Sequence, residues 1–227
     1  MKNISKSVYS NQSGIHPDLL KILNRCRTDS YQRPIASFSV IAFNSIIEKL
    51  SCFRTNDFIL DIGCGTGESS YNLALKNPEV FVIGIDKSLS RLNRKNEFKI
   101  NELDNYFLVR AEALDLIYQF AIFLESSNLN LIKTYFIFPN PWPKEKHVKR
   151  RFSANPVVPF IFRLNCEIEI RSNWKIYVDE FSVSALYYDY LIKNFNCYVP
   201  KEFISSFEKK YHLSSQKLFL ATYIPSF

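Results

Sequence analysis

Short apolar runs alternate with amphipathic segments through the middle of the chain. Five apolar runs have the length and composition of strands, and they cover Phe58–Ile62, Val80–Ile85, Tyr106–Val109, Lys133–Phe138 and Glu167–Arg171. The segments with helical spacing cover Glu68–Leu75, Ala113–Leu124 and Pro156–Leu164, with another helix opened by Ser88 as its N-cap and running to about Phe98. Strands that alternate with helices predict a mostly parallel, doubly wound sheet of the α/β class.

The two ends of the chain depart from this alternation. Residues 1–40 are polar and rich in turns, and we expect them to form an N-terminal arm or lid with one short helix near Leu19–Cys26. Residues 41–227 then form one domain, which the amphipathic helix Ile41–Leu50 opens. Near its end, Val178–Asn194 is predicted as a helix, and Cys197–Val199 and Lys217–Tyr223 as a C-terminal antiparallel hairpin.

Composition narrows the class of protein. Of the 227 residues, 47% are hydrophobic and 15% aromatic, which is enough for a folded core. The formal net charge of +7 favours an anionic partner, either nucleic acid or a membrane surface. The five cysteines and three histidines are scattered, which predicts no metal site and a reducing compartment. Because no apolar run approaches membrane-spanning length and the N-terminus lacks a signal-peptide core, we expect a cytoplasmic protein without membrane contact.

A glycine-rich turn follows the first predicted strand. Three of the five glycines in the chain occupy alternate positions between this strand and the next helix, namely Gly63, Gly65 and Gly67. Glycines in such a turn can adopt positive φ and bring backbone N–H groups close to a ligand at the start of a helix. The spacing differs from the dinucleotide-binding fingerprint, and no Gly-Lys-Ser/Thr follows to make a P-loop. A tight structural turn is the alternative interpretation.

Acidic residues end three successive strands. Asp61 ends the first strand, Asp86 closes the second, and Glu112 follows the third. A carboxylate at the second of these positions is placed to accept both hydroxyl groups of a ribose, and the third can approach the base. With the glycine turn, this pattern resembles the Rossmann-like class I methyltransferases that use S-adenosylmethionine. The resemblance implies that these acids and glycines bind S-adenosylmethionine.

The fourth strand ends in a rigid polar loop, Phe138–Arg151. Asn140 stands between two prolines, whose rings fix φ and remove backbone donors, so its amide is held in place. Since ligands of open α/β sheets bind beyond the carboxyl ends of the strands, we expect Asn140 to face the reactive end of the cofactor. Trp142 either stacks on a base or wedges the loop against the domain.

A dense run of cations continues this loop, and a run of this kind is either a solvated surface or a phosphate-binding segment. Its attachment to the Asn140 loop favours phosphate binding. The cations are Lys144, Lys146, Lys149, Arg150 and Arg151.

The motif Phe-Pro-Asn-Pro-Trp-Pro-Lys, with its basic tail, resembles the signature of the bacterial tRNA (guanine-N7)-methyltransferase family. The resemblance extends from about Leu60 to Tyr188, with a weaker echo near the C-terminus. It implies methyl transfer from S-adenosylmethionine to a tRNA guanine N7, with Asn140 at the catalytic position. The substrate-binding residues that it implies, together with the basic tail, are Trp142, Lys144, Lys149, Arg150, Arg151, Asn173, Ser205 and Glu208.

Two departures from the family pattern leave alternatives open. Asn140 and Asn173 stand where the family has aspartates. An amide keeps one acceptor oxygen but loses the charge, and charge-assisted hydrogen bonds are about twice as strong as neutral ones. Guanine N7 has a free lone pair, so no general base is needed. One alternative is an amino-methyltransferase with an Asn-Pro-Pro-Tyr-like motif, acting on another base or a glutamine amide. The other is a catalytically inactive paralogue that binds RNA and cofactor. The sequence leaves the oligomeric state and the target nucleotide open.

Overall fold

The structure is a computed structural model that describes residues 5–94 and 103–226. Within these ranges the strands are β1 (Asp57–Ile62), β2 (Phe81–Asp86), β3 (Tyr106–Arg110), β4 (Asn130–Ile137), β5 (Glu167–Ser172), β6 (Tyr190–Tyr198) and β7 (Leu218–Pro225). The α-helices are α1 (Leu19–Thr28), α2 (Ser37–Ser51), α3 (Glu68–Lys76), α4 (Leu89–Leu92), α5 (Ala113–Phe123), α6 (Val158–Arg163), α7 (Lys175–Tyr187) and α8 (Ser206–Leu213). The strands form a mixed seven-stranded sheet, and the chain divides into two compact units.

One unit is the continuous segment Arg33–Ile137. Its strands follow the order β3-β2-β1-β4, and all of the pairs are parallel. All six residues of β2 are buried, as expected for a central parallel strand covered on both faces. Since the strands run in the same direction, their carboxyl ends meet at one edge. The predicted doubly wound arrangement is confirmed here.

The other unit contains the residues up to Gln32 and those from Phe138 onward. Strand β7 lies between β5 and β6 and is antiparallel to both. Helix α7 packs its apolar face into this unit, where the ring of Phe181 lies 5.6 Å from Phe162 and 5.4 Å from Tyr223. The predicted C-terminal antiparallel pairing is confirmed, although α8 separates the two strands. The predicted division at residue 40 stays a prediction.

The predicted helix Val178–Asn194 is wrong in its second half. Helix α7 ends at Tyr187, Asp189 adopts a left-handed φ of 61°, and β6 begins at Tyr190. Beyond the buried Tyr190, large apolar residues of this stretch are exposed to solvent, and Leu191 of β6 is 53% exposed. The strand forms because it pairs with β7 along its length, from Tyr190 to Tyr198. Such long-range pairing is invisible to a local pattern.

The helix opened by Ser88 is confirmed at its start. The Ser88 side chain accepts a hydrogen bond from the backbone N–H of Arg91, which is the geometry of an N-cap. The helix nevertheless ends at Leu92, with Asn93 as its C-cap, so the predicted continuation is wrong for Asn93 and Arg94. The remainder of the predicted helix, up to Phe98, lies outside the described residues. No helix in the described ranges is both long and apolar enough to cross a bilayer.

Candidate functional site

The glycine turn between β1 and α3 has the predicted left-handed backbone. Gly63, Gly65 and Gly67 have φ values of 79°, 63° and 88°. The backbone N–H groups of Gly63 and Cys64 donate to the Ile85 carbonyl at 2.8 and 3.0 Å, which fixes the turn against β2. A Cβ at Gly67 would lie 2.3 Å from Leu108 Cδ1, whereas a Cβ at Gly63 would meet nothing within 4 Å. A side chain at Gly67 would therefore strain the backbone and displace Leu108, whereas the turn is open at Gly63.

Asp61 is buried at the end of β1, with a side chain that is only half satisfied. Its Oδ2 atom accepts hydrogen bonds from Ser69 Oγ at 2.5 Å and Ser70 Oγ at 2.7 Å. Its Oδ1 atom is buried without a partner among the described residues. Burial raises the pKa of Asp61 to about 6, against the opposing effect of the two serine hydrogen bonds. A buried acceptor of this kind calls for a donor from a ligand.

Asp86 is held rigidly at the end of β2. Its Oδ2 atom accepts from the Gly65 N–H at 2.9 Å and lies 3.1 Å from Arg91 Nη1. Its Oδ1 atom accepts from the Ser88 N–H at 2.8 Å and retains a second lone pair. Asp86 is therefore hydrogen-bonded to the glycine turn, and its Oδ1 atom can still accept a hydrogen bond from a hydroxyl group.

Glu112 lies at the N-cap of α5, beside the guanidinium of Arg33. Arg33 Nη2 lies 3.5 Å from a carboxylate oxygen of Glu112, and Arg33 Nε lies 3.3 Å from Asp115. The residue before Glu112 donates its N–H to the Asp86 carbonyl at 3.2 Å, so the acids that end β2 and β3 are neighbours. In the sequence Arg33 is one more polar residue of the N-terminal 40, because its two partners lie about 80 residues further along the chain.

The Asn140 loop in the other unit exposes its central amide. Asn140 Oδ1 accepts from the Trp142 N–H at 3.4 Å, which closes a short Asx turn, and the rest of the side chain is exposed. Phe138 and Trp142 adopt left-handed φ values of 49° and 45°, which are uncommon for bulky residues. The Phe138 N–H donates to the Arg171 carbonyl at 2.9 Å and anchors the start of the loop. The loop thus presents Asn140 on a constrained backbone.

Trp142 is partly covered by residues of its own loop. The Arg150 guanidinium lies 4.6 Å from the centre of its ring, and the His147 ring meets it edge-on at 5.8 Å. Lys144, Lys149 and Arg150 are exposed, and the last two belong to the 3-10 helix Glu145–Arg150. These three cations remain available to phosphate, and their predicted roles stay predictions, as does that of Trp142.

The prediction that Arg151 binds phosphate is wrong. Its side chain is fully buried, with Nη1 2.6 and 2.7 Å from the two carboxylate oxygens of Glu180, which is also fully buried. The same guanidinium donates to Gln12 Oε1 and the Trp142 carbonyl, and it lies 4.7 Å from the ring centre of Trp174. The guanidinium of Arg151 is therefore surrounded by protein groups, and it fixes the loop in place and does not contact a ligand.

Ser205 and Glu208 also require correction as direct substrate contacts. Ser205 is the N-cap of α8, where its Oγ accepts from the Glu208 N–H at 3.3 Å. Glu208 is fully buried, and its carboxylate accepts from Arg171 Nη1 at 2.8 Å and from the Ile204 N–H at 2.9 Å. The Ser205 hydroxyl thus starts a helix, and the Glu208 carboxylate neutralises Arg171, so these oxygens already accept hydrogen bonds from the protein and not from a substrate.

Asn173 lies just after β5 and is partly buried. Its Nδ2 group donates to Gln216 Oε1 at 2.7 Å, and the amide of Gln216 in turn donates to the Ser5 carbonyl at 2.9 Å. The structure therefore links Asn173 to the N-terminal residues. Its predicted contact with substrate stays a prediction.

The fold is that of a Rossmann-like class I methyltransferase. It is similar to the crystal structure of the 16S rRNA methyltransferase KamB with a TM-score of 0.58 and 15% identity, covering 86% of this chain and 96% of that chain. A likeness at this identity concerns the fold alone. The model of the methyltransferase family Methyltransf_4 matches residues 55–215, and the chain belongs to this family.

Two curated relatives of this chain carry the same name. The chain is 28% identical over 121 residues to a tRNA (guanine-N(7)-)-methyltransferase of Mycoplasma genitalium, covering 52% of this chain and 54% of that protein. It is 36% identical over 103 residues to the protein of the same name from Lachnoclostridium phytofermentans, covering 45% of each. The chain thus spans about half the length of the curated relatives that it matches.

Proposed function

We propose that the chain transfers a methyl group from S-adenosylmethionine to N7 of a guanine in tRNA. The observation that carries this proposal is the buried Asp61 Oδ1, which lacks a partner among the described residues beside an open glycine turn. The family match and the name shared by the relatives support the reaction and the acceptor. A tRNA acceptor also favours a cytoplasmic location.

The residues of the Arg33–Ile137 unit fit S-adenosylmethionine. This group supplies a methyl bonded to a positively charged sulfur. In our proposal Gly63, Gly65 and Gly67 let the backbone approach it, and Asp61 Oδ1 accepts from one of its donor groups. The free lone pair of Asp86 Oδ1 accepts from a ribose hydroxyl, and Glu112 faces the base.

Methylation of guanine N7 requires no general base from the protein. Guanine N7 carries a lone pair and no proton, so a C–N bond can form as the C–S bond breaks, with the electron pair remaining on sulfur. The required contribution is therefore orientation. In this proposal the exposed Asn140 amide accepts from the donor edge of the base, and Lys144, Lys149 and Arg150 neutralise phosphates.

Methyl transfer from labelled S-adenosylmethionine to unmodified tRNA tests the proposed reaction. Nucleoside mass spectrometry should show 7-methylguanosine. Because a carboxylate makes stronger, charge-assisted hydrogen bonds to the base, Asn140→Asp should raise the single-turnover rate by about tenfold. Lys201→Gln, an exposed change elsewhere, is the control. A wild-type protein that binds both substrates but forms no 7-methylguanosine would contradict the proposal.

A second candidate function rests on the two amides at positions where the resemblance implies aspartates, Asn140 and Asn173. Since each lacks the negative charge that favours a cationic product, a protein that binds cofactor and RNA without transfer is the alternative. The same assay separates the candidates. A methylated exocyclic amine would instead indicate an amino-methyltransferase.

The exposed cations should give tRNA binding a steep dependence on salt. Each phosphate contact contributes a slope of about −1 to the plot of log K against log salt. Replacing Lys149 and Arg150 together with glutamine should therefore make the slope shallower by about 2. The Lys21→Gln, Lys201→Gln double variant carries the same charge change at other exposed positions. Equal slopes for both double variants would contradict phosphate contact by Lys149 and Arg150.

A further inference from the structure

A cleft lined by charged and aromatic residues lies within the unit that contains both chain ends, between the N-terminal segment and the basic loop. It has a volume of about 690 Å³, and we call it the arm cleft. Its N-terminal side is formed by Tyr9, Asn11, His16 and Asp18, and its other side includes Lys144 and Lys146. The volume falls within the range of about 300–1,000 Å³ that small-ligand sites occupy.

Hydrogen bonds between the two sides keep this cleft formed. Ser10 Oγ donates to the Pro143 carbonyl at 2.6 Å, and the Glu145 N–H donates to Asn11 Oδ1 at 3.1 Å. Beneath them, Gln12 Nε2 donates to Glu180 Oε1 at 2.6 Å. Because the N-terminal segment is fixed before any ligand arrives, binding requires little ordering of the chain.

Tyr9 has no evident part in folding. Its side chain is 89% exposed at the rim of the arm cleft. An aromatic ring that is held on an ordered segment and buries almost nothing is well suited to stack on another flat group. Stacking of this kind is how proteins bind unpaired bases with little regard to sequence.

The charges of the arm cleft match a nucleotide better than a simple anion. Lys144 and Lys146 provide cations for a phosphate. Asp18 and Glu145 provide acceptors, which would repel a bare anion but can bind ribose hydroxyls or base amino groups. The cleft thus combines an aromatic face, cations and acceptors in one place.

We propose that the arm cleft binds one nucleotide of an unpaired RNA segment, with its base stacked on Tyr9 and its phosphate near Lys146. This inference rests on the proposed RNA substrate and adds to it a contact made by the N-terminal segment. In the proposed function the guanine to be methylated is bound by Asn140. The nucleotide in the arm cleft is therefore a different nucleotide of the same RNA.

The test uses a fluorescein-labelled tetrauridylate and measures its binding by anisotropy in low salt, without S-adenosylmethionine. Tyr9→Ala should weaken binding by about tenfold because a stacked base is lost. Tyr9→Phe keeps the ring and should bind like the wild type. Phe203→Ala, which removes another exposed aromatic ring of this unit, is the control. Lys146→Gln should make the salt slope shallower by up to about 1.

The binding measurement tests the arm cleft independently of the proposed methyl transfer. Equal affinities of the wild type and Tyr9→Ala, or no binding of the tetranucleotide by the wild type, would overturn the arm cleft as a nucleotide site, whatever the methyl-transfer assay shows. A tenfold loss of tetranucleotide affinity in Tyr9→Ala would support the arm cleft. If the wild type then binds cofactor and tRNA but forms no 7-methylguanosine, the proposed reaction is overturned while the cleft stands.

Discussion

Glu180→Gln should destabilise the protein by about 3–5 kcal/mol, because it leaves the Arg151 charge buried without its counter-charge. Both side chains are fully buried, and the carboxylate accepts two short hydrogen bonds from Arg151 Nη1. The change keeps the volume of the side chain, so its effect reports the lost charge and not a cavity. Urea unfolding followed by circular dichroism measures the difference.

The matched control lies on the same helix. Lys175→Gln removes an exposed pair with Asp179, whose separation is 2.6 Å, and exposed pairs contribute only about 0–1 kcal/mol. Glu180→Gln should also expose the segment around Gln12 to proteases, since Glu180 accepts from the Gln12 amide and the His16 N–H. Equal unfolding free energies for the two variants would show that the buried pair contributes nothing.

Asp61→Asn should have opposite effects on stability and on cofactor binding. The folded state raises the pKa of Asp61 from 3.8 to about 6, so the folded protein binds this proton more tightly than the unfolded chain does. Stability is therefore lost as pH rises from about 4 to about 6, and above that range the penalty is complete. Asparagine carries no such penalty, so the variant should be more stable by about 3 kcal/mol at pH 7.5.

The gain in stability should disappear below pH 4, where the wild-type carboxyl is protonated in both states. Affinity for S-adenosylmethionine at pH 7.5 should fall by at least about tenfold, because a charge-assisted hydrogen bond is lost. Thermal unfolding at several pH values and titration calorimetry measure the two effects. Asp57→Asn, at the other end of β1, is the control. A stability difference that stays constant between pH 4 and pH 8 would contradict the assigned role of burial.

The sequence predicted the parts of the fold that depend on local pattern. Strands β1 and β2 are short apolar runs bounded by turn residues, and the glycines between β1 and α3 imply the left-handed backbone that the structure has. The start of α4 follows from the capping chemistry of Ser88. In each case the residues that determine the local structure lie within a few positions of it in the sequence.

The parts that were missed depend on distant partners. The edge strand β6 exists because of β7, and its exposed apolar residues imitate an amphipathic helix. Arg151 looks like one more surface cation until its partners, Glu180 and Gln12, are brought to it by the fold. Ser205 and Glu208 resemble a polar site because the residue types that start a helix are also those that bind ligands.

The discontinuity of one unit constrains the order in which the chain can fold during synthesis. The segment Arg33–Ile137 is continuous, so the contacts within this unit can form once the segment has left the ribosome. Gln12, by contrast, bonds to Glu180 across 168 positions of sequence. Gln12 therefore cannot make this hydrogen bond until synthesis has reached Glu180, so the segment around Gln12 docks only after the Arg33–Ile137 unit has been made.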